Sequence, residues 1–162
     1  MLRTNYLTIH KEEFSFSAGH FTIFSATERE QLHGHNYNVS IRFKMNIDHN
    51  GLAFDYRIYK KKLQAVCQQI DRHFLLPSES TYMQLFEEGD YCIGLFNGEK
   101  IPFLKKDVII LPLSNITIEE LSHWFLAKML EEVTLLKHGI VAVEVQVYNG
   151  PGQSAAAHFG TW

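Results

Sequence analysis

His35-Asn36-Tyr37-Asn38-Val39-Ser40-Ile41-Arg42-Phe43-Lys44-Met45-Asn46-Ile47 changes character at every step: the odd positions from Tyr37 to Ile47 are apolar, and the even positions from Asn36 to Asn46 are polar or charged. Successive side chains of a strand point to opposite faces, so a period of two over this length predicts a long strand with one buried and one wetted face. Asp48-His49-Asn50-Gly51 closes it with turn residues. A one-sided strand of this kind belongs to an antiparallel sheet covered on one face.

Upstream, residues 8–20 show the same period, with Phe14, Phe16, Ala18 and His20 on one face and Ser15 and Ser17 on the other. Downstream the period lengthens. From Arg57, the residues Tyr59, Leu63, Val66, Cys67, Ile70 and Phe74 fall at helical spacing, with Asp55 as N-cap and Pro77 as exit. Residues 91–103 read as a hairpin about Asn97-Gly98, and Val108–Leu111 as a short strand. A second helix is predicted from Thr117, whose hydroxyl caps it while Glu120 reaches back. Its stripe is Ile118, Leu121, Phe125, Met129 and Val133. Ile140–Tyr148 is a last strand, followed by a Gly/Pro loop from Asn149 to Gln153. The predicted class is α+β: one domain over 1–162, an antiparallel sheet backed by two helices, with an inserted hairpin at about 78–112. Such a sheet leaves edge strands that another subunit can cover, so a homo-oligomer is expected.

The 162 residues suffice for one core; 46% are apolar and 20% charged, the balance of a globular chain. No apolar run approaches the roughly 20 residues of a membrane span. The net charge of −3 argues against a partner held through nucleic-acid phosphates. Residues 1–5 lack the apolar stretch of a signal peptide, and Cys67 and Cys92 form no CxxC pair, so the expectation is cytoplasmic, with no membrane and no nucleic acid.

Nine histidines are many for this length, and His20, His33 and His35 fall together. At the head of the strand, His33 and His35 share a face about 7 Å apart. If the two strands pair as a hairpin across loop 21–32, His20 lands opposite them. Three imidazoles without a fourth protein ligand leave a position open, the pattern of catalytic zinc. An isolated HxH on a strand equally suits a hydrogen-bonded surface pair. His10, His49, His123, His138 and His158 read as surface or turn residues.

Phe16-Ser17-Ala18-Gly19-His20 followed by Leu32-His33-Gly34-His35-Asn36-Tyr37 resembles the 6-pyruvoyl-tetrahydropterin synthase and 6-carboxytetrahydropterin synthase family. Gly51-Leu52-Ala53-Phe54-Asp55, Ile70-Asp71, Leu75-Leu76-Pro77, Thr117-Ile118-Glu119 and Pro151-Gly152-Gln153 extend the likeness in order along nearly the whole chain. The resemblance implies a tunnelling fold, in which three subunits close a barrel and two trimers stack into a hexamer with sites at subunit interfaces. It implies zinc on His20, His33 and His35, and a dihydropterin triphosphate whose side chain is cut by a lyase serving queuosine, folate or tetrahydrobiopterin synthesis.

The chain departs from that pattern in three places. Arg29 stands where the family has its catalytic cysteine; Glu30 beside it resembles the glutamate with which a folate-pathway subgroup makes 6-hydroxymethyl-dihydropterin. On the residues alone, Glu30 equally fits a solvated loop acid next to Glu28. The family's Asp-His dyad falls on Asp71-Arg72, with His73 one place along, so Asp71 and His73 are the catalytic candidates there. Asn149 replaces the glutamate that grips the pterin edge, offering one acceptor and a donor instead of two acceptors. Glu119 matches a second substrate-facing acid and also suits a helix N-terminus. These departures leave room for another heterocyclic substrate, or for a metal-binding homologue without catalysis.

Overall fold

The computed structural model describes residues 3–131 and 138–162, so Val133, assigned above to the second helix's stripe, lies outside the described residues. Strand β1 (Arg3–His20) pairs antiparallel with β2 (His33–Ile47), placing Phe16 opposite Tyr37, Ala18 opposite His35 and His20 opposite His33. The register shifts between His10 and Ser15, a bulge that bends β1 midway.

Helix α1 (Arg57–Ile70) buries Tyr59, Leu63, Val66, Cys67 and Ile70, as its spacing requires. Phe74, which fits the same spacing, is not on it. Asp71 leaves the helix with extended backbone, Arg72 adopts a left-handed φ of 61°, and the chain turns into β3 (His73–Pro77). Asp55 is not the N-cap. Tyr56 holds that position, and the Asp55 carboxylate instead accepts from the Arg57 amide at 3.0 Å.

The inserted region is larger than one hairpin. Strands β4 (Met83–Glu88), β5 (Tyr91–Phe96) and β6 (Glu99–Leu104) form a separate three-stranded antiparallel sheet, with Asn97-Gly98 turning β5 into β6 as expected. After β7 (Val108–Leu111), helix α2 (Ile118–Leu130) starts from Thr117, whose hydroxyl accepts from the Glu120 amide at 3.3 Å. The reciprocal half of the box is redirected: the Glu120 carboxylate accepts from the Ser114 amide at 3.4 Å. Strand β8 (Ile140–Tyr148) follows, and beyond the Gly/Pro loop lies one more strand, β9 (Ser154–Gly160).

The main sheet runs β7-β3-β1-β2-β8-β9. Its antiparallel part is β1-β2-β8-β9, in which the pairing of β1 with β2 and the strand β8 are as expected and β9 is an addition; β3 and β7 add to one edge in parallel. Both helices cover one face, where Phe14, Phe16, Tyr37, Ile41, Phe43, Leu63, Phe125 and Val145 build a single core. The other face carries Ser17, Asn36, Asn38, Arg42 and Lys44 and has no helix over it among the described residues. His138 also departs from its expected surface role, stacking on Phe54 and bonding the Tyr59 hydroxyl at 2.8 Å. Neither α1 nor α2 is long and apolar enough to cross a membrane.

Candidate metal centre

Strand pairing alone gathers the three histidines. Their ring centroids lie 4.5 Å (His20 to His33), 5.1 Å (His20 to His35) and 4.9 Å (His33 to His35) apart. One nitrogen from each falls within 4.8 Å of the others, compact enough to share one ion. The cluster sits where the sheet meets the approach to α2: His20 is 5% exposed, and His33 and His35 open outward.

Backbone carbonyls fix which nitrogens remain as ligands. His20 Nδ1 lies 2.8 Å from the Ile116 carbonyl and His33 Nδ1 lies 2.7 Å from that of Gln31. A carbonyl only accepts, so each Nδ1 must carry the proton and donate it. Each Nε2 is thereby left with an unprotonated lone pair, the orientation typical of a metal-binding imidazole. His20 Nε2 is buried and has no hydrogen-bond partner among the described residues. His33 Nε2 stands 3.1 Å from His35 Nε2, so that pair must hold a proton or a cation between two nitrogens. An orphaned buried acceptor facing two more imidazoles fits a divalent cation with nitrogen preference, and zinc suits such a donor set.

The same surroundings favour the neutral form of His20 and His35. Burial pushes the His20 pKa below its usual value, and His33 and His35 push it further, against an opposing pull from the Ile116 carbonyl. His35 is lowered by burial and then by His33. Neutral imidazole is the form that binds metal.

Glu30 faces this cluster. Residues 21–32 continue the hairpin: Ile23 bridges Arg29, and the Glu30 amide donates to the Thr22 carbonyl at 2.9 Å. Side chains therefore alternate, sending Glu30 toward the histidines and Arg29 away. Glu30 Oε2 accepts from the Thr22 amide at 2.8 Å and lies 3.9 Å from His33 Nε2. Burial opposes its charge, but the Thr22 hydrogen bonds and then His33 and His20 outweigh it, leaving the carboxyl below its usual range.

The other candidates lie around the cluster rather than in it. The Asp71 carboxylate accepts from the Ser17 amide at 2.8 Å, fastening the end of α1 to β1. His73 Nδ1 bonds the Asp71 carbonyl at 2.8 Å, so its ring is tied to the backbone of Asp71 and not to its carboxylate. In register, His73 pairs with Ala18, which pairs with His35, and His73 and His35 both line a cavity of about 510 Å³ with Arg72 and Asp107. Glu119 is exposed in the first turn of α2, three residues after the Ile116 that holds His20. Asn149 lines a separate cavity of about 930 Å³ with His10, Asn38, Tyr148 and Gly150. The carbonyls of Gln31 and Ile116 and the amide of Thr22 carry no residue-type signal and are visible only in the fold.

The model of the 6-pyruvoyl tetrahydropterin synthase family matches residues 8–158. The fold superposes on the crystal structure of 6-pyruvoyl tetrahydropterin synthase from Plasmodium vivax with a TM-score of 0.92 at 33% identity, covering 98% of this chain and 99% of that one. The enzyme of the same description from Plasmodium falciparum gives 0.91 at 29% identity, with the same coverage. Two further Plasmodium vivax structures, at 32% identity, TM-score 0.92 and again 98% and 99% coverage, are described as catalytic-residue mutants in which a glutamate is replaced by alanine or cysteine. A Methanocaldococcus jannaschii protein provisionally named 6-carboxy-5,6,7,8-tetrahydropterin synthase is 26% identical over 144 residues, 86% of each chain.

Proposed function

The chain belongs to the 6-pyruvoyl tetrahydropterin synthase family, and on that premise we propose that it is a zinc-dependent lyase that shortens the side chain of 7,8-dihydroneopterin triphosphate, with Glu30 as its base. The observation carrying this reading is the Glu30 carboxylate 3.9 Å from His33 Nε2, on a backbone hairpin that fixes it there. Among the described ion pairs it is the one carboxylate paired with a member of the histidine cluster. The glutamate named as catalytic in the Plasmodium vivax variants supports the same assignment.

His20, His33 and His35 would hold the ion through Nε2, with His20 and His33 in the tautomer that their carbonyl partners favour. When bound, zinc supplies a Lewis acid that acidifies a coordinated side-chain hydroxyl and stabilises oxyanion charge. Glu30 is ionised at neutral pH and so is free to accept a proton. It takes the proton of the side-chain hydroxyl one carbon beyond the carbon attached to the ring. The bond between those two carbons then breaks, its electron pair drawn toward the ring, and the outer fragment leaves as an aldehyde. Return of the proton to the inner carbon leaves 6-hydroxymethyl-dihydropterin. Thr22 keeps the carboxylate aimed throughout.

Asn149, Glu119, Asp71 and His73 are assigned to substrate handling from neighbouring positions, Asn149 and Glu119 at the pterin and Asp71 and His73 at the proton inventory of the side chain. Among the described residues no hydrogen bond joins them to the histidines, and only His73 shares a cavity with one, His35, which favours a site completed by a second copy, with the subunits assembled as a hexamer of two trimers. An amide at Asn149, lining a cavity of about 930 Å³, also favours a second reading in which a different heterocycle is recognised.

The deciding experiment incubates zinc-loaded protein with dihydroneopterin triphosphate and follows pterins by chromatography. A new 6-hydroxymethyl product is expected, and Glu30→Gln should lower kcat by about 10²- to 10⁴-fold with zinc content unchanged. No product from the unaltered protein overturns the reading.

A further inference from the structure

Arg29 has no route into the histidine cluster, yet its surroundings are specific. Its Nη1 donates to the Glu30 carbonyl at 2.8 Å, and its guanidinium lies 5.2 Å from the centroid of the Phe21 ring and 5.8 Å from that of Phe96. Phe21 and Phe96 are buried, and with Ile23, Leu76, Met83 and Cys92 they form the second hydrophobic cluster, which joins the inserted sheet to the main one. Arg29 is thus the link between the inserted sheet and the peptide unit that carries Glu30.

We propose that Arg29 is a positioning residue: seated on Phe21 and on Phe96 of the inserted sheet, it anchors the Glu30 peptide and so fixes the carboxylate beside His33. This rests on the reading of Glu30 as the base. A planar guanidinium suits both tasks, since it stacks on aromatic faces while its edge donates in plane. Lysine offers a point charge without the fork. Across the hairpin, the Asn115 amide group donates to the Ile23 carbonyl at 2.8 Å while its oxygen accepts from the Ile23 amide at 3.1 Å. The arm is therefore clamped on the strand opposite Arg29 by the residue that precedes Ile116, the partner of His20. With Asn115 holding one strand, Arg29 holds the other, and a displacement of about 1 Å at the base costs about a hundredfold in rate.

The test uses the full-length zinc-loaded protein and its variants Arg29→Met, Arg29→Lys and Phe96→Leu, none of which removes a group proposed to touch substrate. Amide hydrogen exchange is read over residues 21–32, alongside zinc content, the visible spectrum of the cobalt-substituted protein, and kcat and KM. Arg29→Met and Phe96→Leu are expected to speed exchange in this arm and to lower kcat by about 10- to 100-fold, with zinc content and cobalt spectrum unchanged and KM little moved. Arg29→Lys should recover only part of either effect. Exchange in the arm matching the unaltered protein overturns the proposal, as does normal kcat in Arg29→Met. Zinc loss or a changed cobalt spectrum in both Arg29→Met and Phe96→Leu also overturns it, because the arm would then be supporting the histidines. If Glu30→Gln turns over normally, the base assignment fails by itself, while faster exchange in Arg29→Met still establishes the anchor.

Discussion

At the scale of single residues, two backbone carbonyls decide what the centre can do. Ile116 and Gln31 each accept a hydrogen bond from an Nδ1–H, of His20 and of His33, and so leave the Nε2 lone pairs of these two rings turned toward the cluster. That arrangement has a consequence for stability. The folded protein holds His20 below the ordinary histidine value of 6.5, so on acidification the unfolded chain takes up the proton first. The contribution is fully present above about pH 6.5 and is lost as the pH falls through the lowered folded value. Metal-free protein should therefore melt at a lower temperature at about pH 5.5 than at about pH 7.5, and His20→Gln should flatten that slope. Calorimetry on the apo protein checks it; an unchanged slope in His20→Gln would show that the acid sensitivity arises elsewhere. Zinc added near neutral pH should raise the melting temperature of the unaltered protein and leave that of His20→Gln almost where it was.

At the scale of elements, the reach of the sequence follows from how each element is buried. The long alternations of β1 and β2 are legible because one face meets the helices and the other meets none, and their pairing brings His20 to His33 without further information. β9 was not legible: Ser154-Ala155-Ala156-Ala157 offers small residues to both faces, so it has no period to read. β3 was hidden for the opposite reason. Phe74 continues the spacing of α1, and only the left-handed turn at Arg72 takes it out of the helix. Of the site, the histidines and Glu30 were readable as residue types. The alternation that turns Arg29 away was not, because it depends on backbone bonds across the loop. A close fit to backbone lies between the two histidines of β2. A Cβ on Gly34 would stand 2.8 Å from the Ala18 carbonyl oxygen, a backbone atom that cannot swing aside. Gly34→Ala must therefore part β1 from β2 where Ala18 faces His35. The expected cost is about 1–3 kcal/mol in denaturant unfolding, with a drop of about 10- to 100-fold in zinc affinity measured by competition with a chelator. Unaltered affinity would mean that the strands' close approach does not set the spacing of the rings.

At the scale of the molecule, the sheet is incomplete by itself. Among the described residues both outer strands, β7 and β9, have an unpaired edge, and no helix covers the face carrying Asn36, Asn38 and Lys44. Apolar side chains accompany these edges: Ile110 on β7 is 48% exposed and Phe159 on β9 is 47% exposed. Open edges of this length invite pairing, and curved sheets avoid them by closing into barrels. The absence, among the described residues, of any hydrogen bond joining Asp71 or Asn149 to the histidines of their own chain makes the same demand from the side of chemistry. Sedimentation should accordingly find an assembly of six 18.8 kDa chains at about 10 µM, above the micromolar range of specific association. Phe159→Lys, which puts a charge on the β9 edge, should shift the population to smaller species. The dissociated variant should keep its zinc, because His20, His33 and His35 all come from one chain, and should lose turnover, because the residues proposed to meet substrate come from more than one. A monomer that turns over at the full rate would show that one chain suffices and would return Asp71, His73 and Asn149 to purely structural roles.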